Sequence, residues 1–459
     1  MNSSRREMLR STACGFGLLA LTDLLAAAER SDNPLAPKVP HFPAKAKRVI
    51  FLFMHGGPSQ VDTFDYKPKL TEDNGKPLPF PKPRVVSGPT GNLLQSPFAF
   101  KQHGQSGAWV SELFPHIATR VDDLCFIKSM HGSNSRHGGA LLELHTGSDT
   151  FVRPSMGSWV TYGLGTENRD LPGYVTICPT LTHGGVNNYS SAFLPATYQA
   201  TPLGNAGTPS DKVGVPFVKG TTPLDQQRLE LDLLADLDRE RASLRGADAA
   251  LEGRIQSFEM AFRMQAAAPT VQDLTKESDE TKKLYGLDDP ATANFGRQCL
   301  MARRFAEAGV RFVQCSHSYK WDQHENLKAD HTKNAREVDK PIAGLLADLK
   351  RRDMLKDTLV LWGGEFGRTP VAQGKDGRDH NPHAFTMFLA GGGVKPGLSY
   401  GATDDYGYYS VENKVHFHDL HATMLHLLGL DHLKLTYKHA GRNFRLTDVH
   451  GEVVKAILA

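Results

Sequence analysis

Two short apolar runs, residues 358–362 and 384–390, constrain the fold more than any other feature of the sequence. Each is a continuous apolar stretch bounded by glycines, which is typical of a strand covered on both faces of a sheet. A carboxylate and an arginine follow the first run, and the loop before the second run carries two histidines. In such sheets, ligands bind beyond the carboxyl ends of the strands. We therefore expect a ligand site at that edge.

Strands and helices are predicted to alternate along the rest of the chain. Further apolar runs at residues 47–55, 124–129 and 310–315 are predicted strands, and helical patterns separate them. This alternation predicts an α/β fold with a doubly wound, mostly parallel sheet flanked by helices. The charged amphipathic stretch near 223–268 predicts an inserted helical hairpin. We expect residues 29–459 to form one domain.

Residues 1–28 resemble a twin-arginine export signal and not a part of the fold. The pair Arg5-Arg6 precedes a modest apolar run at 13–27, which ends in small residues. That run is short and contains Asp23, so no stable transmembrane anchor is expected. The alternative is a basic N-terminal tail. We expect a bacterial protein that is periplasmic or secreted and that passes through the twin-arginine export machinery.

Composition excludes some classes of function. The formal net charge of +3 among 459 residues is nearly balanced, so no nucleic-acid partner is expected. The cysteines form no CxxC pair, so no zinc knuckle is expected. Histidine is unusually frequent, with 20 residues.

Residues that can bind a metal ion follow the predicted strands. Carboxylates and imidazoles are common metal ligands, and strand ends on one edge of a sheet bring them together. The alternatives are ordinary structural roles, such as a pair between Glu365 and Arg368, a helix cap at Asp62, or solvated loop histidines. The candidate ligands are His55, Asp62, Asp322, His324, Glu365, His380 and His383.

A second group of candidates lies in the polar turn after the predicted strand at 124–129. Ser133, Ser135, Arg136 and His137 precede a predicted helix there. Helix N-termini offer free N–H groups to phosphate or sulfate, and arginine binds such oxyanions in a bidentate manner. The alternative is an ordinary serine-capped helix. These four residues are the candidate catalytic residues.

Several motifs together resemble an exported bacterial family. They include HGGPSQVDTFD (55–65), SNSRHGGALLELHTG (133–147), RPSMGSWVTYGLG (153–165), WDQHEN (321–326), WGGEFGRTP (362–370), GRDHNPH (377–383) and HDLHATMLHLLGL (418–430). The mature chain is similar throughout to the family known as domain of unknown function 1501, a sulfatase-like family related to the alkaline phosphatase superfamily. The resemblance implies one or two bound metal ions.

The resemblance also implies roles for particular residues. Asp322 and His324 would be one ligand pair, Glu365 would stand where an Asp is usual, and His380 or His383 would be the last ligand. Segment 131–147 would hold the nucleophile. Residues 126–177 contain no cysteine, so a cysteine-derived formylglycine is excluded.

The expected function is therefore a periplasmic, metal-dependent hydrolase of phosphate or sulfate esters. The cofactor would be a divalent metal (zinc, calcium or manganese), and the substrate a small-molecule or polysaccharide ester. Ser133 or Ser135 would be the nucleophile, with His137 as base and Arg136 or Arg368 balancing oxyanion charge. The alternative is a catalytically inactive sulfatase-like binding or scaffold protein.

Overall fold

The computed structural model describes residues 34–81, 88–214, 222–246 and 249–459, so the predicted export signal at 1–28 lies outside the described residues. The strands are β1 (Arg48–Met54), β2 (Thr90–Leu93), β3 (Phe100–His103), β4 (Ala108–Ser111), β5 (Leu124–His131), β6 (Tyr174–Ile177), β7 (Thr201–Leu203), β8 (Phe312–His317), β9 (Thr358–Gly363), β10 (Gly367–Gln373), β11 (Gly377–Asn381), β12 (Phe385–Ala390), β13 (Leu398–Tyr400), β14 (Ala402–Thr403), β15 (Ser410–Glu412), β16 (Val415–His416), β17 (Tyr437–His439) and β18 (Arg442–Phe444). The helices are α1 (Gln60–Thr63), α2 (Pro68–Glu72), α3 (His137–Thr146), α4 (Met156–Leu164), α5 (Leu224–Arg245), α6 (Ala249–Gln272), α7 (Asp279–Leu284), α8 (Pro290–Glu307), α9 (Leu327–Arg351) and α10 (Phe417–Leu427).

A nine-stranded mixed sheet forms the centre of the molecule. Its order is β13-β5-β12-β9-β1-β8-β6-β7, and β16 pairs with β5. Strand β1 is parallel to both β8 and β9, whereas β12 is antiparallel to both β9 and β5. This mostly parallel sheet, flanked by helices, confirms the predicted α/β class.

The strand directions determine where the polar strand ends meet. Because β12 is antiparallel to both of its neighbours, β5 and β9 run in the same direction, which is also the direction of β1 and β8. The register places Met54 opposite His317 and Phe53 opposite Gly363, so these strands end at the same level. Strand β12 begins at this edge, and the segment before it therefore arrives there too.

Burial explains why the central strands are continuous apolar runs. All residues of β9 and β12 are buried, as are Val49–Met54 of β1. Helix α3 covers one face of β1, where the His145 ring packs edge-on against Phe53 at a centroid distance of 4.9 Å. Backbone hydrogen bonding within the sheet satisfies the polar groups that this burial removes from water.

Two local predictions differ from the structure. The expected loop at 378–383 contains β11, which pairs with β10 in a three-stranded sheet of order β11-β10-β2, because Gly374 (φ +59°) allows a hairpin turn between them. The helical pattern at 113–121, one of those predicted between the strand runs at 47–55 and 124–129, forms a 3₁₀ helix at Ile117–Asp123 instead, and Pro115 just before it lacks an N–H donor. The charged stretch forms α5 and α6, as a hairpin requires. Among the described residues, no helix is long and apolar enough to cross a membrane.

Candidate metal centre

Polar residues from five parts of the chain meet at the edge of the sheet where β1, β5, β8 and β9 end. Each follows a strand of the central sheet or, in the last case, lies just before β12. The residues are His55 after β1, His137 at the start of α3, Asp322 and His324 after β8, Glu365 after β9, and His380 in β11.

Glu365 is a fully buried carboxylate that holds His137 in place. Its Oε1 lies 2.7 Å from His137 Nδ1, and its two oxygens accept from the Gly56 N–H at 3.0 and 3.1 Å. Burial opposes ionisation, but the hydrogen bond from His137 and the charges of His55 and His137 lower the pKa of Glu365 to about 2. The same contacts make Glu365 a buried anion that orients an imidazole.

Gly56 allows the backbone to approach this closely. Its φ is +117°, which side-chain-bearing residues rarely adopt. A Cβ at this position would lie 2.7 Å from the backbone nitrogen of Asp322. The loop after β1 therefore fits against the loop after β8 only with glycine here.

Three histidines of the cluster use Nδ1 in the same way. His137 Nδ1 donates to Glu365, His380 Nδ1 donates to the Ser135 carbonyl at 2.8 Å, and His324 Nδ1 donates to the amide oxygen of Gln373. Carboxylate and carbonyl oxygens only accept, so each Nδ1 carries a hydrogen. In the neutral imidazoles, the lone pair is then on Nε2.

All three Nε2 atoms approach the carboxylate of Asp322. The distances are 3.3 Å from His137 to Oδ2, and 2.9 Å from His324 and 3.1 Å from His380 to Oδ1. Burial opposes ionisation of Asp322, but the hydrogen bonds of these histidines and the charge of Arg368 hold its pKa well below the usual range. Three nitrogens and one carboxylate thus converge at one place.

This convergence fits a bound cation. Imidazole lone pairs that face a carboxylate repel it unless a proton or a cation lies between them. Burial lowers the pKa of His380 to about 4, so that ring is neutral at pH 7 and its Nε2 carries no hydrogen. The buried Nε2 of His137 faces Asp322 Oδ2 at 3.3 Å and has no other hydrogen-bond partner among the described residues. One divalent ion bound by the Nε2 atoms and Asp322 satisfies all of these groups at once.

A second group of three histidines adjoins the first. One nitrogen each of His55, His137 and His183 lies within 4.8 Å of the others, and His55 Nε2 is 3.4 Å from His183 Nδ1. His183 was not predicted, because it lies in an irregular segment and not directly at a strand end, although β6 ends six residues before it. A signal was present, however. The triplet His-Gly-Gly occurs three times in the chain, at exactly these three histidines.

Two more residues at the cluster were not predicted as site residues. One ligand atom of the buried Asp379 lies within 4.8 Å of those of His324 and His380. The Tyr319 hydroxyl donates to Asp322 Oδ2 at 3.1 Å, and the Tyr319 side chain is 46% exposed. Tyr319 therefore connects the buried cluster with solvent.

Two predicted ligands lie apart from the cluster. Asp62 is fully buried, and Arg378 binds both of its oxygens, at 2.7 and 3.2 Å. His383 is exposed, and its ring centroid lies 5.3 Å from that of Tyr409, with the two rings tilted by 41°. Short-range sequence spacing could not reveal these partners, because Arg378 is 316 residues away from Asp62.

The predicted catalytic residues are divided between two places. His137 is inside the cluster, and the Ser135 carbonyl supports His380. Arg136 is exposed. Ser133 instead contacts a different histidine, with its Oγ 3.1 Å from His416 Nε2.

His416 cannot take a proton from Ser133 in this arrangement. Its Nδ1 accepts the N–H of His418 at 3.3 Å, so the ring hydrogen is on Nε2, which also lies 3.2 Å from the carboxylate of Glu143. A histidine with a hydrogen on the nitrogen that faces the serine is a donor and not a base.

Arg368 is fully buried and already saturated with protein acceptors. It donates to Asp322 Oδ1 at 2.6 Å and to the carbonyls of Gly57 and Trp321 at 3.1 Å each. It also donates to the Gly56 and Arg378 carbonyls. Arg368 therefore positions Asp322 and joins the loops around it.

Comparison with protein families identifies this chain's relatives. The family described as "Protein of unknown function (DUF1501)" matches residues 46–458. The chain belongs to the DUF1501 family. Among proteins of curated function, none matches the sequence.

Solved structures that resemble this DUF1501 protein are members of the alkaline phosphatase and sulfatase superfamily. The lipoteichoic acid synthase LtaP from Listeria monocytogenes has 10% identity and a TM-score of 0.36, over 91% of this chain and 80% of LtaP. The PsFucS1 sulfatase from Pseudoalteromonas sp. has 13% identity and a TM-score of 0.36, over 84% and 68%. The alkaline phosphatase of the Antarctic bacterium TAB5 has 12% identity and a TM-score of 0.32, over 79% and 94%. Similarity at this level says nothing about activity, which rests on the geometry of the site.

Proposed function

We propose that this protein is a periplasmic, metal-dependent hydrolase of phosphate or sulfate esters, exported by the twin-arginine machinery. The observation that carries the proposal is the convergence of three imidazole Nε2 atoms on Asp322, each ring being fixed through Nδ1 by a separate acceptor. Such outer contacts are typical of metal-binding histidines. The substrate would be a small-molecule or polysaccharide ester.

The donor set favours zinc over calcium or manganese. Histidine nitrogens are ligands that suit zinc and other late transition metals, whereas calcium and manganese prefer oxygen. His137, His324 and His380 would supply nitrogen and Asp322 oxygen. His55 and His183 could hold a second ion beside the first.

A divalent cation held here supplies Lewis acidity, which polarises an ester oxygen and makes a water molecule a stronger acid. The protein's own residues contribute orientation. Glu365 fixes the His137 ring and Arg368 fixes Asp322, and both of these orienting side chains are fully buried. Tyr319, which is half exposed, donates its single hydroxyl hydrogen to Asp322 and so helps to orient this carboxylate on the solvent side of the cluster.

Ser133 is the less favoured nucleophile because His416 faces it as a donor. The lack of an activated serine nucleophile at Ser133 also favours the alternative function, a catalytically inactive binding or scaffold protein that retains the fold. Ester hydrolysis by a water molecule needs neither Ser133 nor Ser135, so the cluster supports the hydrolase without a serine nucleophile. The two functions differ in whether the bound metal turns over a substrate.

The test begins with metal analysis of protein purified without a histidine tag. We expect about one equivalent or more of zinc, and Asp322→Ala should remove most of it while the circular dichroism spectrum is unchanged. Glu337→Gln is the matched control, since Glu337 pairs with His317 at 2.9 Å outside the cluster. A metal content below a tenth of an equivalent, or one that Asp322→Ala leaves unchanged, contradicts the assignment.

Activity is then measured on aryl phosphate and aryl sulfate esters. Metal-dependent hydrolysis of either ester, lost in Asp322→Ala and kept in Glu337→Gln, supports the hydrolase and identifies the ester class. Stoichiometric zinc with no hydrolysis of either ester supports the scaffold alternative.

A further inference from the structure

A group of aromatic side chains lies beside the proposed metal centre. His383 is exposed and Tyr409 is half-buried, and their ring centroids are 5.3 Å apart with the rings tilted by 41°. Phe80, which is also half-buried, adds a third ring whose centroid is 5.7 Å from that of Tyr409. We call these three residues the aromatic group.

Hydrogen bonds fix the two nearest rings relative to each other. The Asp404 carboxylate accepts three backbone N–H groups of the turn that carries Tyr409, at 2.8, 2.9 and 3.0 Å. The Ser410 N–H donates to the His383 carbonyl at 3.0 Å. The Asn381 side chain accepts the His383 N–H at 3.1 Å and donates to the carbonyl just before Tyr409 at 3.0 Å. Because the backbone at both rings is already ordered, a ligand that binds there loses less conformational entropy.

The other tyrosines of the turn have structural roles. Tyr406 and Tyr408 are 9% and 6% exposed and belong to a buried apolar cluster with Val371 of β10. The Tyr406 hydroxyl also donates to Asp73 Oδ2 at 2.7 Å. These two residues attach the turn to the small sheet. Tyr409, the next residue along the chain, keeps part of its ring in solvent beside the exposed His383, so this ring surface is open to a ligand.

The aromatic group is within reach of a substrate at the metal centre. The Nε2 atom of His380 faces Asp322 Oδ1 at 3.1 Å. His383 follows His380 by three residues, so their Cα atoms are at most about 11 Å apart. A ligand whose ester group lies at the metal centre can therefore extend its remaining part onto the aromatic group.

The side chains favour a sugar ring as the occupant. The face of an aromatic ring carries partial negative charge, which attracts the C–H groups on one face of a sugar. Tyrosine and histidine also have polar edges that form hydrogen bonds with hydroxyl groups. A flat aromatic ligand would use only the ring faces, and a phosphate or sulfate group alone would be bound by cations. A sugar ring uses both the faces and the polar edges.

We infer that the aromatic group is a subsite for a sugar ring, so that the ester at the metal centre is carried by a carbohydrate. This inference rests on the proposed hydrolase function and narrows its substrate class to sugar esters. It assigns His383, which lies apart from the metal cluster, to substrate specificity.

Saturation-transfer NMR on the purified protein tests the subsite by binding. The probes are galactose 6-sulfate and glucose 6-phosphate, compared with methyl sulfate and methyl phosphate, which carry the same ester group without a sugar. We expect at least one sugar ester to bind about tenfold more tightly than its methyl counterpart, the upper end of what an aromatic contact contributes. Saturation should reach its ring protons.

Variants of the aromatic group identify the residues responsible. Tyr409→Ala should remove the gain in affinity, whereas Tyr409→Phe is the matched control, which keeps the aromatic face and should keep most of the gain. His383→Ala changes an exposed side chain and should weaken sugar-ester binding about threefold without a change in the thermal midpoint. Equal affinity for sugar and methyl esters overturns the inference. So does a gain that Tyr409→Ala and His383→Ala both leave unchanged.

The subsite and the proposed function can fail separately. Tyr409-dependent binding of a sugar ester by a protein that hydrolyses no ester supports the subsite and contradicts the hydrolase. Metal-dependent hydrolysis of aryl esters, with no preference for sugar esters in binding, supports the hydrolase and overturns the subsite.

Discussion

Replacing Glu365 by Gln tests whether a buried carboxylate orients His137, an imidazole of the proposed metal site. The substitution keeps the size of the side chain and removes its charge. Glu365 is fully buried and lies 2.7 Å from His137 Nδ1, so solvent does not screen the lost interaction. Loss of such an outer partner typically lowers metal affinity 10- to 100-fold, which corresponds to about 1.4–2.7 kcal/mol.

The assay is competition for zinc against a chromophoric chelator at pH 7.5, with circular dichroism to confirm folding. We expect the dissociation constant of Glu365→Gln to rise within that range, with the number of bound ions unchanged. Glu337→Gln is again the matched control, because it removes a carboxylate from a histidine that is not in the cluster.

An unchanged affinity in Glu365→Gln would refute the orienting role of the carboxylate. An equal loss in both variants would show that the effect is a general consequence of removing buried charge, and it would refute the geometry argued for His137.

Three other predictions follow from the same contacts. Gly56→Ala should destabilise the fold by about 1–3 kcal/mol and lower its metal content, because φ at this position is +117° and the new Cβ would lie 2.7 Å from the Asp322 nitrogen. Thermal unfolding and metal analysis check this prediction, and a normal metal content would contradict it. Asp62→Ala should lower the free energy of unfolding, measured by denaturant titration, by about 3–5 kcal/mol, because Arg378 is left buried without its partner. The folded variant should keep its metal. Loss of metal without loss of stability would instead identify Asp62 as a ligand. Burial opposes protonation of His137, but hydrogen bonds to Asp322 and Glu365 raise its pKa to about 9, above the usual 6.5. Its stabilising contribution in the metal-free protein is thus complete below pH 6.5 and is lost as the pH rises through 9, by about 3 kcal/mol, and a thermal midpoint that is flat over this range would contradict the pairing.

Much of the fold could be read from local pattern. The apolar runs that form β1, β8, β9 and β12 are continuous and bounded by glycine. This pattern is typical of strands buried on both faces, and it was enough to predict these strands and the α/β class. The signal is strong there because a continuous apolar run has few other stable environments. The hairpin at β10–β11 was missed, since its residues are polar and its pairing is local to a small sheet.

Part of the candidate site could be predicted from the sequence for the same reason. His55, Asp322, His324 and Glu365 follow predicted strands, and parallel strands end at one edge. His183 is in an irregular segment after β6, where the repeated His-Gly-Gly triplet was the clearest signal. Asp62 and His383 have the residue types of ligands, but their neighbours in space are an arginine and a tyrosine.

The sequence by itself determined the apolar strands β1, β5, β8, β9 and β12 and the residue types near their ends, because both depend on local hydrophobic pattern and covalent order. Only the tertiary structure decided which nitrogen of each histidine is committed to an acceptor and which faces Asp322. Only the tertiary structure likewise shows that Ser133 contacts His416 and that Asp62 pairs with Arg378. Those outcomes depend on contacts between residues up to hundreds of positions apart, whose distances are fixed when the sheet packs and not by spacing along the chain.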